Sequence, residues 1–182
     1  MKKIRILIGG AGGQGIITFG RILSYAAINK NLEVSCLPAY GAEMRGGYVY
    51  CVVTISGNQE IFSPITSMCD IGIFMNEKSY KMLSGYLKNG ATLIINSSLV
   101  KNFKGKNFNI IEVKATEIAE ELGDIKMANM VVAGVIGYIL SKTEFKLKIE
   151  DFYCGIEKTM KNHELIELAK KVLKEGWKIL KI

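Results

Sequence analysis

Histidine occurs once in this sequence, at His163, and proline twice, at Pro38 and Pro64. Lys161, Asn162 and Glu164 surround that histidine, so it reads as an exposed residue of a helix-to-helix turn, and no serine-hydrolase triad can be assembled around it. No cluster of histidine, aspartate and glutamate of the kind a metal hydrolase needs is encoded either. The four cysteines, Cys36, Cys51, Cys69 and Cys154, contain no C-x-x-C pair, which argues against a zinc site or an iron–sulfur ligand set. They read as small buried hydrophobes in a reducing cytosol. A membrane span needs about 20 apolar residues, whereas the longest apolar run, Met127 to Leu140, is shorter and contains Asn129. It reads as a buried helix. Met1-Lys2-Lys3 leads straight into a strand without an apolar h-region, so a cytoplasmic protein with no secretory signal is expected.

The formal charge of +7 invites a nucleic-acid reading. The excess, however, sits on lysines such as Lys101, Lys104, Lys106, Lys170, Lys171, Lys174, Lys178 and Lys181, several at helical spacing from glutamates and with no aromatic platform between them. A solvated helical face explains this, and a basic surface also suits an acidic partner protein or a polyanionic substrate. With 182 residues, 49% of them hydrophobic, the chain is expected to form a single domain over 1–182 with a sizeable core and no need of disulfides.

What is present centres on residues 4–17. Ile4, Ile6, Leu7 and Ile8 make a buried strand, followed by Gly9-Gly10-Ala11-Gly12-Gly13-Gln14-Gly15 and a periodic helix. Gly10, Gly12 and Gly15 carry G-x-G-x-x-G spacing, which predicts a tight turn at Gly10, close approach of an anion at Gly12, and helix-on-strand packing at Gly15. Gly13 and Gln14 complete the loop. A tight turn that binds nothing satisfies the same spacing. Nicotinamide binding further calls for an acid at the end of the second strand, but Glu33-Val34-Ser35-Cys36-Leu37-Pro38 has none there.

A second glycine-rich segment follows, in which Tyr40, Gly41, Glu43, Arg45, Gly46 and Gly47 offer an aromatic face, an acid, a guanidinium and permissive backbone. It leaves the second strand beside the first loop, so both are expected to flank one crevice; a Glu43 to Arg45 network that merely shapes the loop is the alternative. Strand signals recur at 48–55, 60–62, 69–75, 91–96 and 108–113, the first two as a hairpin. Helices are expected after Asn76 (with Tyr80, Leu83 and Leu87 on one face, ending at Asn89-Gly90), over 116–122, over 127–142, and as two amphipathic segments toward the end. The fold class is α/β and Rossmann-like: a mostly parallel sheet, helices on both faces and one antiparallel hairpin.

The ordered motifs Gly-Gly-Gln-Gly-Ile at 12–16, Pro-Ala-Tyr-Gly-Ala-Glu-Met-Arg-Gly-Gly at 38–47, and Ile-Phe-Ser-Pro-Ile at 61–65 with Cys69-Asp70 resemble the gamma subunit of 2-oxoacid:ferredoxin oxidoreductases. The tyrosine in the second motif resembles the 2-oxoglutarate branch. The resemblance implies a pyruvate/ketoisovalerate oxidoreductase gamma-type domain in an oxygen-sensitive enzyme of anaerobic metabolism that forms acyl-CoA, carbon dioxide and reduced ferredoxin. It implies alpha and beta partners carrying thiamine diphosphate and Mg2+, [4Fe-4S] clusters on other subunits including a ferredoxin-like delta chain, ferredoxin as acceptor, and no nucleic acid or membrane partner. This chain then holds no cofactor and no catalytic set of its own, shapes the coenzyme A side of the site with its glycine loops, and self-associates when isolated. A free-standing flavin- or nicotinamide-binding protein is the alternative.

Overall fold

Ile6 and Ile8 point to one face of the central strand and Leu7 to the other, and this alternation divides the core in two. The computed structural model describes residues 3–41, 47–57, 61, 68–103 and 107–181. Its strands are β1 (Lys3–Ala11), β2 (Glu33–Tyr40), β3 (Tyr48–Ser56), β4 (Cys69–Phe74), β5 (Leu87–Asn96) and β6 (Asn109–Val113). They form one sheet in the order β2-β3-β1-β4-β5-β6. From β1 through β4 and β5 to β6 the pairing is parallel, while β3 runs antiparallel to both β1 and β2.

The helices are α1 (Ile16–Ile28), α2 (Glu77–Leu83), α3 (Ala115–Glu121), α4 (Ala128–Ser141), α5 (Ile149–Thr159) and α6 (His163–Lys178). Five of them bury apolar side chains with Ile6, Ile8, Ile73 and Ile94 in the larger cluster, whereas α2 alone, through Tyr80 and Leu83, joins Leu7, Phe74, Leu93 and Ile95 on the opposite face. The α/β class with helices on both faces is thus borne out. The distribution is lopsided.

On the larger face α4 is central, apolar nearly all round because it is covered by sheet and helices at once. Gly134 and Gly137 bring it against α6, where a side chain at Gly134 would meet the backbone of Leu173 and Trp177. Trp177 in turn packs edge-on to Tyr138 and Phe152, joining α4, α5 and α6. Buried Asp151 ties this layer to α1: one oxygen accepts from Lys148 N at 2.7 Å, the other from Asn29 Nδ2 at 2.8 Å. His163 lies exposed at the start of α6, as its polar neighbours required.

Four sequence expectations need correcting. Gly10 does not make the turn; it lies inside β1 opposite Val49, and the strand runs on to Ala11. β2 does not lie directly beside β1, because β3 inserts between the two strands. The antiparallel hairpin joins β2 to β3 rather than 48–55 to 60–62; Ile61 is outside any strand, and Glu60 and Phe62 lie outside the described residues. Finally, α2 ends at Leu83 and Leu87 already begins β5, so Gly90, at φ 78°, is an irregularity in a strand rather than a helix terminus. Leu87 still packs with Tyr80 and Leu83, which is why a helical stripe and a helix-strand corner look alike in sequence.

Candidate functional site

After β1 the chain enters α1 on one face, and after the neighbouring parallel strand β4 it enters α2 on the other. In an open α/β sheet this reversal opens a crevice at the carboxyl ends of the strands, and ligands collect there. Residues 12–15 form its near wall. Gln14 N closes the turn on Ala11 O at 3.1 Å, and Gly13 and Gly15 take φ values of 88° and 68°, where any other L residue is strained. Gly12 needs no such backbone, and a Cβ added there would meet nothing within 4 Å. It faces open space.

α1 starts at this crevice with no side-chain cap and no acidic residue in its first turn. Its free first-turn N–H groups, with the positive end of the helix dipole, favour an anion. The start of α4 lies beside it but continues a 3-10 turn, Ile125–Met127, in which Ile125 O accepts from Ala128 N and Asp124 caps Lys126 N at 2.9 Å. Asn129 locks the two ends together by donating from Nδ2 to Gly15 O at 3.1 Å. Its Oδ1 is buried and, among the described residues, accepts no hydrogen bond. A cleft of about 240 Å³ adjoins them, lined by Gly13, Gln14, Met75, Thr116, Lys126 and Ala128, so one cation stands beside the helix ends.

A row of amides braces the crevice. Gln14 Oε1 accepts from Ala11 N at 2.7 Å and from Asn76 Nδ2 at 2.8 Å, while its Nε2 donates to Met75 O at 3.4 Å. Asn96, at the end of β5, donates to Thr116 Oγ1 at 2.8 Å and to Met75 O at 3.3 Å. Asn76 also caps α2, accepting from Ser79 N at 2.8 Å. Asn76→Ala therefore removes a cap and a brace together, and a loss of about 1–2 kcal/mol is expected in urea denaturation. On the rim, hydrogen bonds from Lys81, then Asn102, hold the Glu77 carboxyl below its ordinary pKa.

The second glycine segment opens at the same end of the sheet. Tyr40 pairs with Val49, which pairs with Gly10, and Tyr48 pairs with Ala11, so the hairpin mouth lies level with the end of β1. Its two ends therefore open where β1 stops, Tyr48 one sheet spacing of about 5 Å from β1 and Tyr40 two spacings, about 10 Å. Tyr40 is 72% exposed, Gly41 N donates to Tyr48 O at 2.8 Å, and Gly47 stands just before β3. Glu43, Arg45 and Gly46 lie outside the described residues.

Asn96, Thr116, Lys126 and Asn129 join this crevice without having been singled out as site residues. Asn129 was the one polar residue in an otherwise apolar helix, a signal that pointed to it. Lys126 looked like any surface lysine. Among the described residues no three of histidine, cysteine, aspartate and glutamate gather as metal ligands. The residues present do not fit an iron–sulfur cluster.

Sheet order and the switch-point crevice define a Rossmann-like α/β domain. The pyruvate ferredoxin/flavodoxin oxidoreductase family model matches residues 5–179, and the chain belongs to that family. Ketoisovalerate oxidoreductase subunit VorA of Methanothermobacter marburgensis is 31% identical over 179 residues, 96% of this chain and 36% of the relative. The chain thus spans about a third of the length of that relative. The 2-oxoglutarate synthase subunit KorC of the same organism is 35% identical over 143 residues, covering 74% of this chain and 75% of its own. Among solved structures, the keto/oxoacid ferredoxin oxidoreductase gamma subunit of Geobacter sulfurreducens superposes with a TM-score of 0.80 at 26% identity, over 96% of both chains. No helix among the described residues is long and apolar enough to cross a membrane.

Proposed function

We propose that this chain acts as the gamma-type subunit of a cytoplasmic 2-oxoacid:ferredoxin oxidoreductase and lends its crevice to coenzyme A. The assembled enzyme converts a 2-oxoacid, coenzyme A and two oxidised ferredoxins into acyl-CoA, carbon dioxide and two reduced ferredoxins. Thiamine diphosphate with Mg2+, carried by alpha and beta partners, supplies the decarboxylation chemistry, and iron–sulfur clusters on further subunits carry the electrons. The observation that carries this reading is the family match over residues 5–179, supported by the cleft beside Gly13, Gln14 and Lys126 at the start of α1.

Within the crevice, the first-turn N–H groups of α1 and the Lys126 ammonium are the donors for a coenzyme A phosphate. A ribose 3′-phosphate and a diphosphate need cations and N–H donors, not the acid a nicotinamide ribose calls for, and β2 ends in Pro38-Ala39-Tyr40. Gly12 leaves the space open, and Tyr40 stands exposed at the same end of the sheet; Glu43 and Arg45 of the same motif, which lie outside the described residues, are counted with it as contributors to this role. Among 2-oxoacids, the Tyr40 motif favours 2-oxoglutarate. The long match to a ketoisovalerate subunit supports a branched-chain 2-oxoacid as the second reading.

Co-expression with the partner subunits and a panel of 2-oxoacids tests both levels. Coenzyme A-dependent reduction of ferredoxin is expected only in the assembled enzyme, with the highest kcat/KM for 2-oxoglutarate. A higher value for 2-oxoisovalerate transfers the specificity to the second reading. Tight binding of NAD or FAD by the chain alone, measured by calorimetry, would contradict the subunit role itself.

A further inference from the structure

Cys36 and Cys51 have a place of their own, away from the crevice, where the edge strand β2 meets β3 beneath α1. Cys36 is opposite Val53 and Cys51 is opposite Pro38, so the two are diagonal neighbours, and their sulfurs lie 3.3 Å apart. Gly20 of α1 makes room for them, since a Cβ there would stand 2.5 Å from Cys51 Sγ and 3.6 Å from Cys36 Sγ. Cys51 is fully buried. Cys36 instead lines a surface pocket of about 400 Å³ with Arg21, Ser24 and Tyr25 of α1 and Lys158 and Thr159 of α5. Lys158 Nζ stands 5.7 Å from the centre of the Tyr25 ring, so two cations flank the opening through which a reagent reaches Cys36.

We infer that Cys36 and Cys51 form a dithiol exchange site that takes a small anionic disulfide and closes a disulfide between β2 and β3. In the first step Cys36 thiolate attacks one sulfur of the reagent, forming a mixed disulfide and expelling one thiolate. In the second, Cys51 gives up its proton and attacks Cys36 Sγ, expelling the other. Two thiols are oxidised and one reagent disulfide is reduced to two thiols, so atoms and electrons balance. Arg21 and Lys158 attract the anionic reagent, and bond formation closes the sulfurs from 3.3 Å to about 2.05 Å between the edge strand β2 and β3.

The electrostatics support this order of events. The Cys51 hydrogen bond, with Ser24 and Arg21 adding to it, outweighs burial and lowers Cys36 to about 6. Cys51 is pushed up, chiefly by its hydrogen bond to Cys36, then by burial and by the Cys36 charge. Capturing a reagent removes the Cys36 charge and with it two of those three causes. The resolving thiol is thereby released when it is needed. Cys69 is buried, and Cys154 of α5 lies against Asn29 at the end of α1 and outside the pocket lining, so neither competes for the pocket.

The test uses dithiobis-nitrobenzoate, an anionic disulfide whose released thiolate is coloured, with the 182-residue chain. Two equivalents should leave in the fast phase, with no adduct left on Cys36 and the peptides of Cys36 and Cys51 cross-linked and two hydrogens lighter in the mass spectrum; the partly exposed Cys154 adds at most one slower equivalent. Cys51→Ala should release one equivalent in the fast phase and keep a stable adduct on Cys36. The first step should stay nearly level between about pH 7 and pH 9, where a thiol of ordinary pKa near 8.5 gains about 25-fold in thiolate. Fast release that survives Cys36→Ser, or a wild-type protein that keeps an adduct on Cys36, would overturn the proposal. Either result is read on wild type or a surface variant, so it does not depend on the core variant folding.

Discussion

Gly134→Val should lower the stability of the chain by about 3 kcal/mol, enough to remove much of a typical domain's margin. A Cβ at this position would press on Leu173 O and on Trp177 N, both backbone atoms of α6, and α6 returns the constraint because a Cβ at Gly176 would press on Val131 O. Backbone atoms inside helices cannot rotate away as a side chain can, so relief requires α4 and α6 to separate. Separation would expose Val131, Leu173 and Trp177, all buried at this seam. Glycine costs an α-helix about 1 kcal/mol relative to alanine, so alanine here gains propensity while losing contact, and the clash wins. The midpoint of urea denaturation checks this, with Gly12→Ala as the control expected to change it little. A shift under about 1 kcal/mol for Gly134→Val would mean that the helices are not held as closely as described.

Gly12→Asp should have the opposite signature: little loss of stability and a large loss of coenzyme A binding. Gly12 has ordinary backbone angles and open space around it, so aspartate fits without strain. Its carboxylate would stand one residue before Gly13 of the cleft, on the turn that leads into the α1 N-terminus. Two negative charges about 5 Å apart at an effective dielectric of about 20 repel by about 3 kcal/mol, and partial exposure reduces that. An increase of about 10- to 100-fold in the apparent KM for coenzyme A follows. Gly15→Ala, by contrast, would disturb both properties, because Gly15 has a left-handed backbone and its added Cβ would run into Asn129 Nδ2.

Local features of the fold were legible in the sequence because they depend on neighbours. The apolar strand at Ile6 to Ile8, the stop after Ile28, the Asn76 cap and the all-apolar α4 each follow from a short pattern. What was not legible depends on distance along the chain. The insertion of β3 beside β1 is a pairing between residues about 45 positions apart, and nothing in Tyr48 to Ser56 names its partner. The same limit hid most of the crevice: Gln14 meets Asn76, Asn96 meets Thr116, and Asn129 meets Gly15 across 114 positions. Gly10 misled for another reason. Its spacing fits the turn fingerprint, but the sheet keeps it in β1, leaving Gly13 and Gly15 to supply the positive φ angles. The cysteines were read singly as packing residues, whereas β2 and β3 bring two of them together.

The central claim is that this chain contributes an anion cradle to an enzyme completed by others. Its most direct test is the apparent KM for coenzyme A in the reconstituted enzyme, compared among wild type, Gly12→Asn and Gly12→Asp at saturating 2-oxoacid. The expected result is a modest rise for asparagine, a rise of about 10-fold or more for aspartate, and an unchanged KM for the 2-oxoacid. Equal coenzyme A values for all three enzymes would place the phosphates elsewhere and contradict the account.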